Sequence, residues 1–286
     1  MTCSAIKAPA PVARIEPPTF EQFHRDYARG SVPVVIRGAI EHWKARARWD
    51  FAYLKEMAGS MSLPVARSGS ETFAEDPQIT MQRFDQFIDS LVEPDPGATP
   101  GASVAQTSLR TLAPIAKDVE LPRYIEPATL HNFNIWIAPS RALTWLHYDP
   151  YHNLYACIRG RKKVTLIAPR FMTQVYPYPW YSRRSHHSRV RIDEPDMKRF
   201  PRFGEVERLE TILAPGDMLF IPIDWWHQVY GLETSIMVNF FWHAPARQFL
   251  SYPQLHKFRY LKPLLLSRLR SQTSWRRSGL QRQREG

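Results

Sequence analysis

Apolar positions recur along the chain with two different spacings, and the change from one to the other divides it into three stretches. In the first, Phe20, Phe23 and Tyr27 fall on one helical face. They follow Thr19-Phe20-Glu21-Gln22, a capping box whose hydroxyl and amide satisfy backbone N–H groups at a helix start, and Gly30 is the predicted stop. A short strand is expected over residues 32–36, ending at Gly38. Asp50 is placed to cap a second helix running through Leu54 and Met57 to Gly59. Thr80 is placed to cap a third, whose Met81, Phe84, Phe87, Ile88 and Leu91 make an apolar stripe of core-packing type. Residues 93–101, with three prolines and two glycines, read as a loop and as the best boundary.

From about residue 128 to 245 the helical spacing gives way to short β-rich runs at 133–137, 154–158, 164–167, 208–213, 218–221 and 235–242. Many short strands punctuated by Pro and Gly favour an antiparallel sandwich or jelly roll. Pro215-Gly216 suits the centre of a type II turn, and Arg159-Gly160-Arg161 a hairpin turn. Residues 176–203, holding four prolines, read as a long insertion on that scaffold. A helix is expected over 249–269, followed by a Ser/Gln/Arg-rich end without the apolar content to fold. The expected organisation is a mixed α/β elaboration over 1–127, a mostly β core over 128–245, and a basic helical segment over 246–286.

With 286 residues, 44% of them hydrophobic, the chain can bury a large core without covalent staples. Its two cysteines, Cys3 and Cys157, exclude a disulfide framework and point to a reducing, cytoplasmic setting. Residues 1–14 lack the apolar run of a signal peptide, and the run at 218–223 contains a proline, so no membrane anchor is expected. Charge is unevenly placed. From residue 247 to 286 ten Lys/Arg face one acid, giving +9 of the net +11, while the first 246 residues carry only +2. A basic tail either solvates the C-terminal segment or meets a polyanion such as nucleic acid.

Candidate chemistry begins at Leu146-His147-Tyr148-Asp149, where the strand repeat of two puts the imidazole and the carboxylate on one face. A lone His-x-Asp triplet is a weak signal, since about 0.4 are expected by chance at this composition. His227 strengthens it, because it follows a Pro-Gly turn, an apolar strand and Trp225-Trp226, and an antiparallel roll can bring that later strand beside the first. Two imidazoles and one carboxylate leave up to three open positions on an octahedral ion, as in non-haem Fe(II) oxygenases. A structural zinc site is instead closed by four protein ligands.

The residues from His147-Tyr148-Asp149-Pro150-Tyr151-His152-Asn153-Leu154 to Gly160-Arg161-Lys162-Lys163 resemble the iron-binding segment of JmjC-type, cupin-like hydroxylases. So do Leu213-Ala214-Pro215-Gly216-Asp217-Met218-Leu219-Phe220-Ile221-Pro222, the following Trp226-His227, and Val238-Asn239-Phe240. The resemblance covers roughly residues 103–245, and it implies a double-stranded β-helix with Fe(II) held by His147, Asp149 and His227. It further implies that Lys162 pairs with the distal carboxylate of 2-oxoglutarate, and that Thr144, Asn153 and Asn239 contact this co-substrate. The family often carries a tyrosine where this chain has Ser103. The shorter hydroxyl leaves that contact to a water or another residue, or implies weaker co-substrate binding.

The activity implied is consumption of 2-oxoglutarate and O2, release of succinate and CO2, and hydroxylation of a substrate C–H bond. A protein or peptide side chain is the expected target. Demethylation, which is hydroxylation of an N-methyl carbon, and hydroxylation of a modified RNA base are alternatives, as is a non-catalytic cupin-like binding module. Leu255, Phe258, Leu261, Leu264 and Leu265 offer a face for a homodimer or for packing on the same chain. His152 has the wrong parity to join Asp149, His186-His187 lies in the insertion, and His131 and His243 lack a partner pattern, so surface or packing roles are expected for these. Trp136, Trp225, Trp226 and Trp242 are placed either to wall the site or, as is usual for bulky aromatics in a jelly roll, to fill the core; Cys157 reads as core and Asp217 as a turn residue.

Overall fold

The computed structural model describes residues 7–67, 78–92 and 102–251. Cys3, the boundary at 93–101, and the C-terminal helix and basic tail beyond Ser251 lie outside these residues. Before the core come β1 (Ala10–Pro11), β2 (Arg14–Ile15), α1 (Phe20–Phe23) with a π-helical turn behind it, β3 (Val34–Ile36), α2 (Lys44–Arg48), α3 (Phe51–Ala58), β4 (Ser62–Arg67), β5 (Gln78–Arg83), α4 (Phe84–Val92), β6 (Ala102–Ser108) and α5 (Ala113–Ala116). The core strands are β7 (Leu130–Ala138), β8 (Leu143–His147), β9 (His152–Arg159), β10 (Lys162–Ile167), β11 (Arg208–Leu213), β12 (Met218–Ile221), β13 (Trp226–Gly231) and β14 (Ser235–Trp242), followed by α6 (Ala246–Leu250).

These strands form two sheets, β1-β11-β10-β13-β8 and β2-β3-β12-β9-β14-β7-β6-β4-β5. From β7 to β10 the chain changes sheet at every connection, and it does so again from β11 to β14. That winding makes the core a double-stranded β-helix, a jelly roll. Strand alternation then sorts the side chains into layers. Tyr155, Cys157, Val164, Leu166, Leu219, Val229 and Met237 line the lumen between the sheets. Leu154, Ala156, Ile158, Phe220, Val238 and Phe240 face the other way, onto Phe23, Trp43, Trp49, Phe84 and Phe87 of the N-terminal helical layer. The insertion covers the outer face of the smaller sheet, packing Val175, Val190, Ile192, Phe200 and Phe203 against Leu146, Ile167 and Trp226.

Local signals account for several elements directly. The Thr19–Gln22 capping box forms in both directions, and the Asp50 carboxylate accepts from the Tyr53 N–H at the start of α3. Gly216, with φ +99°, sits at the centre of a turn closed by the Asp217 N–H donating to the Ala214 carbonyl at 3.0 Å. Asp217 does more than turn the chain, because its carboxylate also pairs with Arg14 at 2.6 Å and ties β2 to this corner.

Other expectations are corrected. Thr80 does not cap a helix: it pairs with Val65 in the β4/β5 ladder, Met81 is 67% exposed, and α4 begins at Phe84. Met81 is in phase with the apolar stripe of α4 by accident, one turn before the helix starts. Arg159-Gly160-Arg161 is no hairpin, since β9 and β10 belong to different sheets; Gly160, with φ +70°, turns the corner between them. The left-handed residue behind the first helix is Ser31, φ 52°, rather than Gly30. Strand β3 is shorter than expected, and β7, β9 and β10 are longer. No helix among the described residues is long and apolar enough to cross a membrane.

Candidate metal centre

His147 ends β8 and His227 lies at the start of β13, and these residues are direct partners in the antiparallel ladder. Directly paired residues project to the same face, here the lumen, with ring centroids 4.2 Å apart. Asp149 lies two residues past the end of its strand, in a segment held by the Asp224 N–H donating to the Asp149 carbonyl at 3.0 Å. Its carboxylate comes within 3.5 Å of His227 Nε2, and one donor atom from each of the three residues falls within 4.8 Å of the others.

Both rings are oriented alike. His147 Nδ1 donates to the Trp145 carbonyl at 2.8 Å, and His227 Nδ1 to the Trp225 carbonyl at 3.0 Å. A carbonyl can only accept, so each Nδ1 carries the hydrogen and each Nε2 presents its lone pair. Burial pushes both imidazoles down to about 4 and raises the Asp149 carboxyl, with the neighbouring His227 lowering His147 further. Two neutral nitrogen donors and one carboxylate, converging without a fourth protein ligand among the described residues, fit an open Fe(II) site.

Deeper in the lumen lies Lys162, 5% exposed. Its neighbours in sequence point outward: Arg161 pairs with Glu233 at 2.7 Å, and Lys163 faces Asp193 and Glu210 at 4.0 and 3.8 Å. Lys162 has no acidic partner among the described residues; its ammonium donates to the Tyr155 hydroxyl at 3.3 Å. Burial lowers its pKa to about 8. Asn153 and Asn239 also face inward, joined by the Asn239 amide donating to Asn153 Oδ1 at 3.3 Å. Asn239 Oδ1 in turn accepts from Trp136 Nε1 at 2.7 Å and from Asn134 at 3.3 Å.

Thr144 reaches the same face by a bulge. Simple alternation from His147 turns it outward, but the register slips between the His227 and Val229 pairings, so Thr144 lies opposite Val229, a lumen residue. Lys162, Asn153, Asn239 and Thr144 therefore lie on the inward faces of their strands, as His147 and His227 do.

Sequence reasoning missed four of their neighbours. Residues 186–188 add to the free edge of β8, with the Tyr148 N–H donating to the His186 carbonyl at 3.1 Å and the Ser188 N–H to the Leu146 carbonyl at 2.9 Å. His187 thereby stacks on His147 at 5.4 Å, beside the centre rather than on a remote surface. Nothing in local periodicity announces such pairing by an irregular segment. Tyr155, Asn134 and Trp136 were legible in principle, because Tyr155 shares strand parity with Asn153, Asn134 pairs across from Asn239, and Trp136 lies two residues beyond Asn134 on the same face.

The histidines set aside behave otherwise. His152 is buried on the outer layer, accepting from the Ile223 N–H at 3.1 Å and meeting Gln248 at 3.0 Å, while His131 stacks on Tyr151 at 4.3 Å and His243 meets the same ring edge-on at 5.4 Å. Trp225, Trp226 and Trp242 are core, whereas Trp136 is half-buried and reaches the lumen through its N–H. Cys157 is buried and its thiol is pushed up to about 12, so it packs as an apolar group.

A double-stranded β-helix with an open two-histidine, one-carboxylate centre and a buried lysine defines the cupin class of Fe(II)/2-oxoglutarate oxygenases. The chain belongs to the cupin-like domain family, whose model matches residues 20–248. Among curated proteins it is 32% identical over 232 residues to lysine-specific demethylase JMJ30 of Arabidopsis thaliana, covering 80% of this chain and 54% of the relative. It is 30% identical over 239 residues to lysine-specific demethylase 8 of Xenopus tropicalis, covering 81% and 52%. It is also 29% identical over 247 residues to tRNA wybutosine-synthesizing protein 5 of Gallus gallus, covering 80% and 76%. The chain thus spans about half the length of the demethylase relatives. JmjC enzymes use Fe(II), 2-oxoglutarate and O2, and this chain has the side chains of such a non-haem iron dioxygenase.

Proposed function

We propose that this protein is an Fe(II)- and 2-oxoglutarate-dependent dioxygenase that hydroxylates a side chain of a protein or peptide, releasing succinate and CO2. The observation that carries this reading is one lumen holding both an open triad of donors, His147, Asp149 and His227, and a buried ammonium, Lys162, with no acidic partner among the described residues. An anion is needed there, since a cation removed from water without a counter-charge is costly.

Iron and the keto acid, when bound, supply the oxidising chemistry; the chain supplies placement. Carbonyl hydrogen bonds hold the two imidazoles in the tautomer that presents Nε2. Lys162 anchors the far carboxylate of the keto acid, while Thr144, Asn153 and Asn239 provide polar contacts along the cavity. The surrounding apolar lumen, with Val164, Leu166, Val229 and Met237, excludes water. A cytoplasmic location and a homodimer through Leu255, Phe258, Leu261, Leu264 and Leu265 belong to the same proposal.

The test is succinate formation from 2-oxoglutarate by the full chain with Fe(II). We expect turnover that falls at least about 100-fold in His147→Ala and Asp149→Ala, the scale of loss that follows damage to metal ligation. Turnover unchanged in both variants would sink the assignment of the centre, and iron-independent binding without turnover would favour a cupin-like binding module.

A second reading, hydroxylation of an RNA base, is favoured by the insertion. Between residues 176 and 192 it carries four arginines and no acid, and it exposes Trp180 (60%) and Tyr181 (67%) beside each other. Cations interleaved with aromatic faces suit nucleotides, and one relative is named for tRNA wybutosine synthesis. Arg183→Glu with Arg191→Glu should then weaken RNA binding and flatten its salt dependence, whereas unchanged binding would remove this reading.

A further inference from the structure

The tyrosine that the family often places where this chain has Ser103 leaves a gap in the recognition of the co-substrate. Ser103 lies on β6 in register with Ala66, on the face opposite Val104, and its hydroxyl hangs from a single carbon. A phenol is nevertheless present in the lumen, supplied from a different strand. Tyr155 on β9 is 6% exposed, shares a face with Asn153 and Cys157, and places its hydroxyl 3.3 Å from the Lys162 ammonium.

We propose that Tyr155 takes over the role of the absent tyrosine and forms, with Lys162, a two-donor clamp on the distal carboxylate of 2-oxoglutarate. This rests on the oxygenase reading given above. Hydrogen-bond capacity supports it. In the Lys162–Tyr155 contact the ammonium must be the donor, so the phenol oxygen accepts and its own O–H remains to be given away. Among the described residues the structure offers that O–H no acceptor. The ammonium keeps two further hydrogens. An anion set against this pair therefore receives one charged and one neutral hydrogen bond from adjacent atoms, which suits the two oxygens of a carboxylate. Burial also raises the Tyr155 pKa, so the hydroxyl stays protonated as a donor across the working range. The phenol that β6 lacks is in this way supplied from β9.

The experiment compares the full chain with Tyr155→Phe by anaerobic titration of the Fe(II) protein, following the charge-transfer absorbance that a chelating 2-oxo acid produces. Two acids are used: 2-oxoglutarate, and 2-oxobutyrate, which has no distal carboxylate. We expect Tyr155→Phe to weaken 2-oxoglutarate binding about tenfold or more, the effect of removing a donor to a charged acceptor, and to leave 2-oxobutyrate within about twofold. In turnover the KM for 2-oxoglutarate rises while kcat at saturation stays level. Equal weakening for both acids would make Tyr155 a packing residue and overturn the clamp, as would unchanged binding of 2-oxoglutarate. Failure of the unaltered protein to bind either acid would instead overturn the oxygenase reading, and the clamp with it.

Discussion

His147 and His227 face each other across the β8/β13 ladder, and each gives its Nδ1 hydrogen to a carbonyl two residues earlier in its own chain segment. Two strands separated by 80 positions thus present matched nitrogen lone pairs to one point, with Asp149 opposite. The chain's own carbonyls fix both ring orientations, so little ordering of the imidazoles is left for metal binding to accomplish.

Preorganisation has a signature in acid. Burial lowers His147, His227 and also His152 to about 4. Below the ordinary histidine range the unfolded chain takes up protons that the folded protein refuses. Their stabilisation is therefore complete above about pH 6.5 and is lost as the pH falls towards about 4. Asp149, raised by burial, acts in the opposite sense, but burial also lowers His131, His186 and His187, so it is one group against six. Thermal unfolding of the metal-free protein should show a midpoint that drops between about pH 7 and about pH 5, with Fe(II) raising it more at the upper end. A midpoint that stays flat over that interval would contradict buried neutral imidazoles.

Lys162 is expected to separate stability from function. A cation depressed to about 8 is costly to keep in the lumen, and the unfolded chain binds the extra proton between about 8 and the ordinary lysine value, so folding improves as the pH rises through that window. Lys162→Met removes the cost. It should stabilise the keto-acid-free protein by about 1–3 kcal/mol in urea unfolding at neutral pH, while 2-oxoglutarate binding falls at least about 100-fold. A destabilised variant would mean that the ammonium has a protein counter-charge.

The corner at Gly160 is predicted to be intolerant. Its φ is +70°, and an added Cβ would meet the Thr234 carbonyl at 2.4 Å and Ser235 Cα at 3.0 Å, both backbone atoms that cannot swing aside. Gly160→Ala should cost about 2–4 kcal/mol from left-handed strain plus the clash. A loss below about 0.5 kcal/mol on chemical denaturation would show that the corner can rearrange.

Asn239 joins Asn134, Trp136 and Asn153 in one buried set of hydrogen bonds. Asn239→Leu leaves the Trp136 N–H and the Asn153 carbonyl group unmatched, which should cost about 2–4 kcal/mol. The double variant Asn239→Leu with Trp136→Phe should recover part of that loss, because it removes one orphaned donor along with its acceptor. Strict additivity in a double-mutant cycle would deny the coupling.

Much of this molecule was legible in one dimension. The capping box at Thr19, the Asp50 cap, the Pro215-Gly216 turn and the strands β11, β12 and β14 follow from short-range rules, since the groups that satisfy one another lie within a few residues. The motif order likewise picked out His147, Asp149 and His227, whose donor atoms converge. Thr80 and Met81 show where such rules fail: the helical period continued through them, yet a partner strand from residues 62–67 claimed their backbone.

Tertiary structure alone decided the rest, and for one reason: residues far apart in the chain meet only through sheet pairing, whose register no local pattern encodes. That pairing made Gly160 a corner rather than a hairpin, turned Thr144 inward through a bulge, and laid His187 against His147 from an irregular insertion. It also set the Tyr155 hydroxyl beside Lys162, a juxtaposition across two sheets that depends on where β9 and β10 pack and that the order of residues along either strand does not contain.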